Sequence, residues 1–377
     1  MRILFVCGGG VIYGKETTTL STMEGLRARG HEIRCITSTW GDAFAKRLDA
    51  LSIPYTRAPL GFISKRLRWD TLYMTFAQLL RLPELWRVYR RTVKEFNPDF
   101  IIHSNFHHIL LLWPLLDPKK TLFRVHDYFE PKPLYRLVIQ FLNLRLRAFI
   151  GVSNFIRNSI LQLGIPDVKV FSVLNGISID GRNHKQTPSQ PVTVGMVGQI
   201  GEWKGHSDLL EALKILKSSG VSFDCIIFGE GEPKYVDVLK QQIYQYGLEK
   251  SIRWMGYVED KRIIFSKIDL CVIPSRCHES FGMVAAEATS FGVPVIAAKT
   301  GGLPEIILEG ETGYLIDPAS PHEIAEKLRL LIENPDLRQR MGDTARTHAA
   351  RSLSRERMVQ EMETLLFNMM SVGMSHV

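Results

Sequence analysis

The 377-residue chain has no apolar run of about 18 residues or more, so no segment reads as a membrane-spanning helix. The opening MRILFVCGGG has too short an apolar stretch for a secretory leader and runs into glycines rather than a small-residue cleavage site. A buried strand feeding a glycine loop accounts for it. Cysteine is scarce: Cys7, Cys35, Cys225, Cys271 and Cys277, with no CxxC and no Cys/His ligand spacing. That excludes a zinc ribbon or a disulfide framework and suits buried thiols in a reducing, cytosolic compartment. No Asp-x-Asp triplet occurs anywhere, so no metal site built on that motif is expected. Internal repeats and low-complexity tracts are also lacking.

What is present is ordinary globular material, 45% hydrophobic and 23% charged, enough for two cores. The net charge of +8 is unevenly placed. Residues 1–188 carry 27 Lys and Arg against 14 Asp and Glu, whereas the remainder has 20 against 25. A basic half joined to a mildly acidic half implies that the first half meets something anionic.

Both halves alternate short apolar runs with helical patterns. In the first half the predicted strands are Arg2–Cys7, Glu32–Thr37, Asp99–His103, Thr121–Val125, Phe149–Val152 and Val170–Val173. In the second they are Val192–Val197, Asp224–Phe228, Ile252–Met255, Leu270–Pro274, Pro294–Ala297 and Gly313–Ile316. Such alternation specifies parallel sheets with helices on both sides. The polar, Gly/Pro/Ser-rich stretch 175–191 reads as a linker. The expected organisation is an α/β chain of two doubly wound domains, 1–174 and 192–353, facing across a cleft. Residues 354–377 are expected to form a helix returning to the first domain, with Ser354 as its N-cap.

The first strand runs into Gly8-Gly9-Gly10, with a helix starting near Gly14. Gly8 and Gly10 fit a GxGxxG loop, but Tyr13 holds the third position. Thr37-Ser38-Thr39 stands where a dinucleotide-binding domain has its acidic ribose partner, which argues against a dehydrogenase. The loop alone reads equally as a phosphate-approaching turn or a plain tight turn. The second half is more specific. In Gly198-Gln199-Ile200-Gly201-Glu202-Trp203-Lys204-Gly205 a strand ends and one lysine precedes a new helix. That lysine is either a point charge for a diphosphate or a solvated surface residue. Leu270 to Pro274 leads through a polar loop containing Glu279 into an alanine-rich helix starting at Met283. The N–H groups of Phe281, Gly282, Met283 and Val284 would make an anion site at that helix start. Glu287 lies further along the same apolar helix and needs a polar partner, which ribose hydroxyls would supply. Gly229-Glu230-Gly231-Glu232-Pro233 and Lys299-Thr300-Gly301-Gly302 are further glycine turns after strands.

These motifs resemble family 4 of the retaining glycosyltransferases, whose fold is GT-B. The resemblance is carried by Glu279 and Glu287 as an E-x7-E motif within ESFGMVAAE, by GVPVIAAKTGGLPEII, VGQIGEWKG and FGEGEP, and by Asn175-Gly176. It covers the second half closely and the first half through the glycine loop and His126-Asp127. It implies that Glu279 lies near the donor sugar, that Glu287 binds the ribose, and that Lys204 binds the diphosphate. It implies phosphate contacts from the amides of Phe281 and Gly282 and from Gly9 and Gly10, His126 beside the sugar, and the base near Met255, Gly256, Tyr257 and Val258. The family commonly has arginine where this chain has Gln199. Either Lys204 works alone, or Arg276 or Lys15 compensates, or activity is low.

The implied reaction is metal-independent and retaining. It takes a hexose-type sugar from a nucleoside diphosphate donor, UDP or GDP, to a hydroxyl of a glycan, lipid-linked or small-molecule acceptor, in cell-surface polysaccharide or glycolipid biosynthesis. No cofactor is expected beyond the donor. Residues 60–95 and 134–149 mix aromatics with Lys65, Arg66, Arg68, Arg81, Arg87, Arg90, Arg91, Lys94, Arg136, Arg145 and Arg147. They read either as domain helices with solvated basic sides or as a peripheral attachment to the inner side of a membrane. His107 and His108 are expected at the surface or lining the cleft. The competing readings are a nucleotide-sugar epimerase of the same fold, a phosphorylase of that fold, and a basic nucleic-acid-binding protein, for which no recognised module is present.

Overall fold

The computed structural model describes residues 1–8, 12–61, 69–179 and 190–374. The chain divides into two compact units, Met1–Gly176 with Arg355–Val377, and Ile177–Ser354.

The first unit is built on a seven-stranded sheet. Its strands are β1 (Arg2–Val6), β2 (Glu32–Ser38), β3 (Tyr55–Ala58), β4 (Phe100–His103), β5 (Thr121–Val125), β6 (Ala148–Gly151) and β7 (Val170–Ser172). They are all parallel, in the order β3-β2-β1-β4-β5-β6-β7. Central strands such as FIIH and AFIG are buried throughout. A parallel sheet covered by helices on both faces demands such continuous apolar runs. β3 is the strand the sequence pattern does not announce. YTRA is short, half-exposed and at the sheet edge, where no apolar run is required.

The terminal helix Arg355–Met374 belongs to this first unit. Met358, Val359, Met362, Leu366 and Met369 join the core formed by Ile3, Phe5, Met23 and Leu26. Arg355 pairs with Glu24 at 2.6 Å, and Glu363 holds Arg29 and His31, each at 2.7 Å. Arg124, on β5, is wholly buried without a carboxylate partner among the described residues. It donates to Thr22 Oγ1 at 2.5 Å and Asn175 Oδ1 at 3.0 Å. Burial brings its pKa down to about 10.

The second unit has a six-stranded parallel sheet of β8 (Val192–Val197), β9 (Phe223–Phe228), β10 (Ile252–Gly256), β11 (Leu270–Ile273), β12 (Val295–Ala298) and β13 (Gly313–Ile316). The order is β10-β9-β8-β11-β12-β13. Its core gathers Val194, Leu209, Leu213, Phe223, Val272, Ile296 and Leu328. In both sheets the first strand lies between the second and the fourth. The winding direction therefore reverses at β1/β4 and at β8/β11, the places where such sheets open a crevice at their carboxyl ends.

The boundary between the units falls between Gly176 and Ile177, earlier than β8. Asn175 is buried in the first unit, where Arg357 donates to the carbonyls of Leu174 and Asn175 at 2.9 and 3.2 Å. Ser354, expected as an N-cap, immediately precedes the helix Arg355–Met374 and forms an isolated bridge with Ile177. Most of the expected linker, residues 180–189, lies outside the described residues.

Candidate active site

The reversal at β8/β11 brings two loops side by side. After β8 the chain makes a short 3-10 turn, Glu202–Lys204, and enters the helix His206–Ser218 through Gly205. After β11 it passes Pro274, Ser275 and Arg276 before reaching Glu279 and the helix Met283–Ser290. Gly205 has φ +77°, and a Cβ there would overlap the Pro274 carbonyl oxygen, so only glycine allows the loops this approach. Arg276 N–H donates to Trp203 O at 2.8 Å across the same seam.

On that scaffold Lys204 Nζ donates to Glu279 Oε1 at 2.6 Å, and Ser275 Oγ donates to the same oxygen at 2.7 Å. The Lys204 and Glu279 side chains are 26% and 20% exposed, shielded yet reachable by a ligand. Behind Glu279 lies the Gly301-Gly302 turn. Gly302 N–H donates to Glu279 O at 2.7 Å, and Gly301, at φ +59°, has no room for a Cβ against the Glu279 backbone. The glycine pair thus presses on the main chain that aims the carboxylate.

Next to this pair, Gly282 opens the helix Met283–Ser290 at φ +107°. Ala286 N–H donates to Gly282 O at 3.1 Å, which leaves the preceding amides at the helix start outside the intrahelical ladder. Those amides and the dipole of an eight-residue helix favour an anion. Arg276 does not add a free cation. It grips Asp208, in the first turn of the helix His206–Ser218, with two bonds of 2.8 and 2.6 Å. Lys15, the other cation considered in place of an arginine at position 199, lies in the first unit, 3.9 Å from Glu16. Gln199 itself is exposed after the end of β8.

Glu287 lies one turn further along the helix. Its carboxylate is largely buried, and burial raises its pKa, opposed by Lys261. Lys261 Nζ stands 3.1 Å from Glu287 Oε2, close but not aligned as a hydrogen bond. Lys261 opens the short helix after β10. Gly256, with φ +65°, closes β10; Tyr257 is exposed and Val258 half-buried beyond it. Gly229 N–H donates to Gly256 O at 2.7 Å, tying this loop to the glycine turn after β9.

In the first unit, His126 follows β5 and is buried, with Nε2 lacking a hydrogen-bond partner among the described residues. Burial, then the charges of Arg124 and Lys15, hold its pKa well below the usual histidine value, so it is a neutral imidazole. His103, closing β4, is wholly buried, and neither ring nitrogen has a hydrogen-bond partner among the described residues. His108, expected at the surface or in a cleft, is buried as well, because it faces the sheet from the helix Phe106–Leu112. His107 is half-buried. Gly9 and Gly10 lie outside the described residues, as do Lys65, Arg66 and Arg68.

Three side chains were not singled out by their sequence context: Ser275, Asp208 and Lys261. Only Asp208 carries a sequence signal, an acid in the first turn of a helix that follows a lysine-glycine pair.

Two parallel sheets in reversing order, with a lysine–glutamate pair at the second reversal, define a GT-B protein. Solved structures agree with that class. The Anabaena protein HepE, solved with UDP, superposes with a TM-score of 0.81 at 22% identity, covering 98% of this chain and 100% of that one. A glycosyltransferase from Rickettsia africae gives 0.81 at 21%, covering 98% of each. The model "Glycosyl transferases group 1" matches residues 180–348, and "Glycosyltransferase Family 4" matches residues 12–180. Together they span most of the sequence, and the chain belongs to the family 4 glycosyltransferases. Among curated relatives, a D-inositol 3-phosphate glycosyltransferase of Corynebacterium glutamicum is 34% identical over 200 residues, 51% of this chain and 47% of that protein. The capsular polysaccharide biosynthesis glycosyltransferase CapM of Staphylococcus aureus is 27% identical over 173 residues, 46% of this chain and 45% of that protein. The chain thus spans about half the length of these relatives. No helix among the described residues is long and apolar enough to cross a membrane.

Proposed function

We propose that this chain is a retaining glycosyltransferase. It moves a hexose-type sugar from a nucleoside diphosphate donor to a hydroxyl of a glycan, lipid-linked or small-molecule acceptor, in the building of cell-surface polysaccharide or glycolipid. The observation that carries the reading is the Lys204–Glu279 pair beside the N-terminus of the helix Met283–Ser290, at the point where the sheet order reverses. A diphosphate placed there accepts from Lys204 Nζ and from the free amides, and negative charge that grows on it as the sugar leaves is stabilised by both. Glu287 accepts from ribose hydroxyls in this reading, and His126, a neutral imidazole, hydrogen-bonds a sugar hydroxyl. The base lies against Gly256, Tyr257 and Val258. That HepE was solved with UDP and with UDP-glucose favours a uridine donor here.

Lys204 and the helix start supply the positive charge that a divalent cation supplies in other transferases, so catalysis is metal-independent. Glu279 Oε1 also accepts from Ser275 Oγ at 2.7 Å, a bond that persists when the diphosphate takes Lys204 and that lowers the nucleophilicity of that oxygen. The acceptor hydroxyl therefore attacks from the side the diphosphate leaves, and its proton passes to a phosphate oxygen. Configuration is retained without a covalent intermediate.

The test is a thermal-shift screen of UDP, GDP, ADP and their sugars, with and without magnesium. Ligands that bind only the folded chain raise its Tm. A shift by one nucleotide family, equal with and without magnesium, is expected. No shift from any of them overturns the donor site. A glycosyl adduct trapped on Glu279 overturns the front-side attack.

A further inference from the structure

The helix Pro133–Asn143 of the first unit is apolar on two sides. One side, with Ile139 and Leu142, is buried. The other is not. Leu134, Leu137 and Leu144 are 64%, 69% and 67% exposed, and Phe141 is 43% exposed. Their spacing of three, four and three residues places all four on a single stripe of the helix and its last turn. Single exposed apolar side chains are ordinary on a protein surface, but three leucines and a phenylalanine in one stripe form a patch that needs a partner.

The surroundings of the stripe define that partner. Trp113 stacks on Phe141 at 4.2 Å between ring centroids, and the Arg145 guanidinium lies over Trp113 at 5.2 Å. From Pro131 to Arg147 the sequence has four basic residues and no Asp or Glu. Lys132 is paired with Glu130 at 2.7 Å, and Arg147 turns inward to backbone carbonyls. Arg136 and Arg145 have no carboxylate partner among the described residues. Arg136 reaches only the Gln162 carbonyl, at 3.3 Å. Trp86 Nε1 donates to Leu111 O at 2.9 Å, joining the helix Leu82–Phe96, with exposed Arg87, Arg90 and Lys94, to the segment that carries Trp113.

We propose that the stripe Leu134, Leu137, Phe141 and Leu144 is a docking surface for a bilayer bearing anionic lipids. The leucines enter the acyl boundary while Arg136 and Arg145 stay at headgroup level, with Trp113 between the two zones. Charge argues against a second copy in this place. Pairing two copies through the stripe brings Arg136 and Arg145 of each against the other, within halves that are both strongly basic. The surface is separate from the residues of the donor site, so it stands or falls independently of the proposed reaction.

The test is flotation of the full chain with vesicles of phosphatidylcholine alone or mixed with phosphatidylglycerol, beside the double variant Leu134→Glu/Leu137→Glu and the single variant Arg136→Glu. The wild type is expected to float with the phosphatidylglycerol vesicles, less so as salt rises, and hardly at all with pure phosphatidylcholine. The double variant is expected to bind at least about tenfold more weakly, and Arg136→Glu to weaken binding by several-fold. Because every altered position is exposed, Tm and the UDP-induced shift should stay at the wild-type values in each variant. Failure of the wild type to float, or a double variant that floats as well as it, overturns the proposal. So does light scattering that shows a wild-type dimer turned monomeric by the double variant, which assigns the stripe to a second copy.

Discussion

Lys204 and Glu279 are 75 residues apart in sequence and 2.6 Å apart in space, joined where β8 and β11 end. In the proposed reaction Glu279 is the internal counterion that a donor diphosphate displaces from Lys204. Arg276 is occupied by Asp208 and Lys261 faces Glu287, so among the described residues Lys204 is the cation paired with Glu279 ahead of the helix start. Lys204→Ala should therefore abolish the UDP-induced rise in Tm and lower kcat/KM by about a hundredfold or more. Gln199→Arg should raise kcat, because it restores a second cation beside the leaving group. Steady-state kinetics on both variants checks this. A Lys204→Ala enzyme within a few-fold of wild type would remove the lysine from the mechanism.

Gly205 fixes the approach on which that pair depends. With φ +77° and no room for a Cβ against Pro274 O, Gly205→Ala must shift the loop that carries Lys204. The expected cost is about 2 kcal/mol or more of stability, from backbone strain and overlap together. Urea denaturation measures it. Gly310, also at positive φ but with open space around its missing Cβ, is the control, and Gly310→Ala should cost about 1 kcal/mol.

The second unit was the more legible in sequence. Its inner strands β8, β11 and β12 are mostly apolar and buried, and the loops after them carry the glycines, the lysine and Glu279, with Glu287 eight residues on. The strand edges that matter for the site follow from that pattern alone. What escaped are partners set by tertiary contact. Nothing near Ser275 marks it as a donor to Glu279, and Lys261 lies 26 residues before the glutamate it faces. The first unit hid more. β3 has the half-exposed sequence of an edge strand, and His103 and His108 are buried by a sheet whose register no local pattern specifies. The outward stripe at Leu134–Leu144 was visible as a mixture of basic and apolar residues. Which of its apolar sides is buried is decided only by packing.

Lys261 stands against Glu287 at 3.1 Å and holds that buried carboxylate's charge against the burial that raises its pKa. Lys261→Met removes the opposing charge and should raise the Glu287 pKa further. In the proposed reaction this weakens ribose binding, so the donor KM rises by several-fold with kcat less affected, most at the acid end of the pH range. Lys261→Arg should restore most of the loss. Discrimination against a 2′-deoxyribose donor should shrink in Glu287→Gln and in Lys261→Met. Unchanged discrimination in both would separate Glu287 from the ribose.

Buried neutral histidines make the fold acid-sensitive. Burial lowers the pKa of His103 and of His108 to about 3 and that of His206 to about 4, and His126 is also held well below its usual value. An unfolded histidine titrates near 6.5. Below that pH the unfolded chain takes up protons that the folded chain refuses. The stability these residues contribute is therefore complete above about pH 6.5 and is lost as the pH falls toward the folded values. Each can steepen the fall by up to about 1.4 kcal/mol per pH unit. Urea denaturation at pH 7.5, 6 and 5 should show stability dropping throughout that interval. His103→Leu is the informative variant, since the imidazole it removes has no hydrogen-bond partner among the described residues. It should flatten the slope by about one proton between pH 6 and 5 while costing little at pH 7.5. An unchanged slope would mean that His103 is protonated in the folded chain, and that the carboxyl end of β4 is more open to water than its burial indicates.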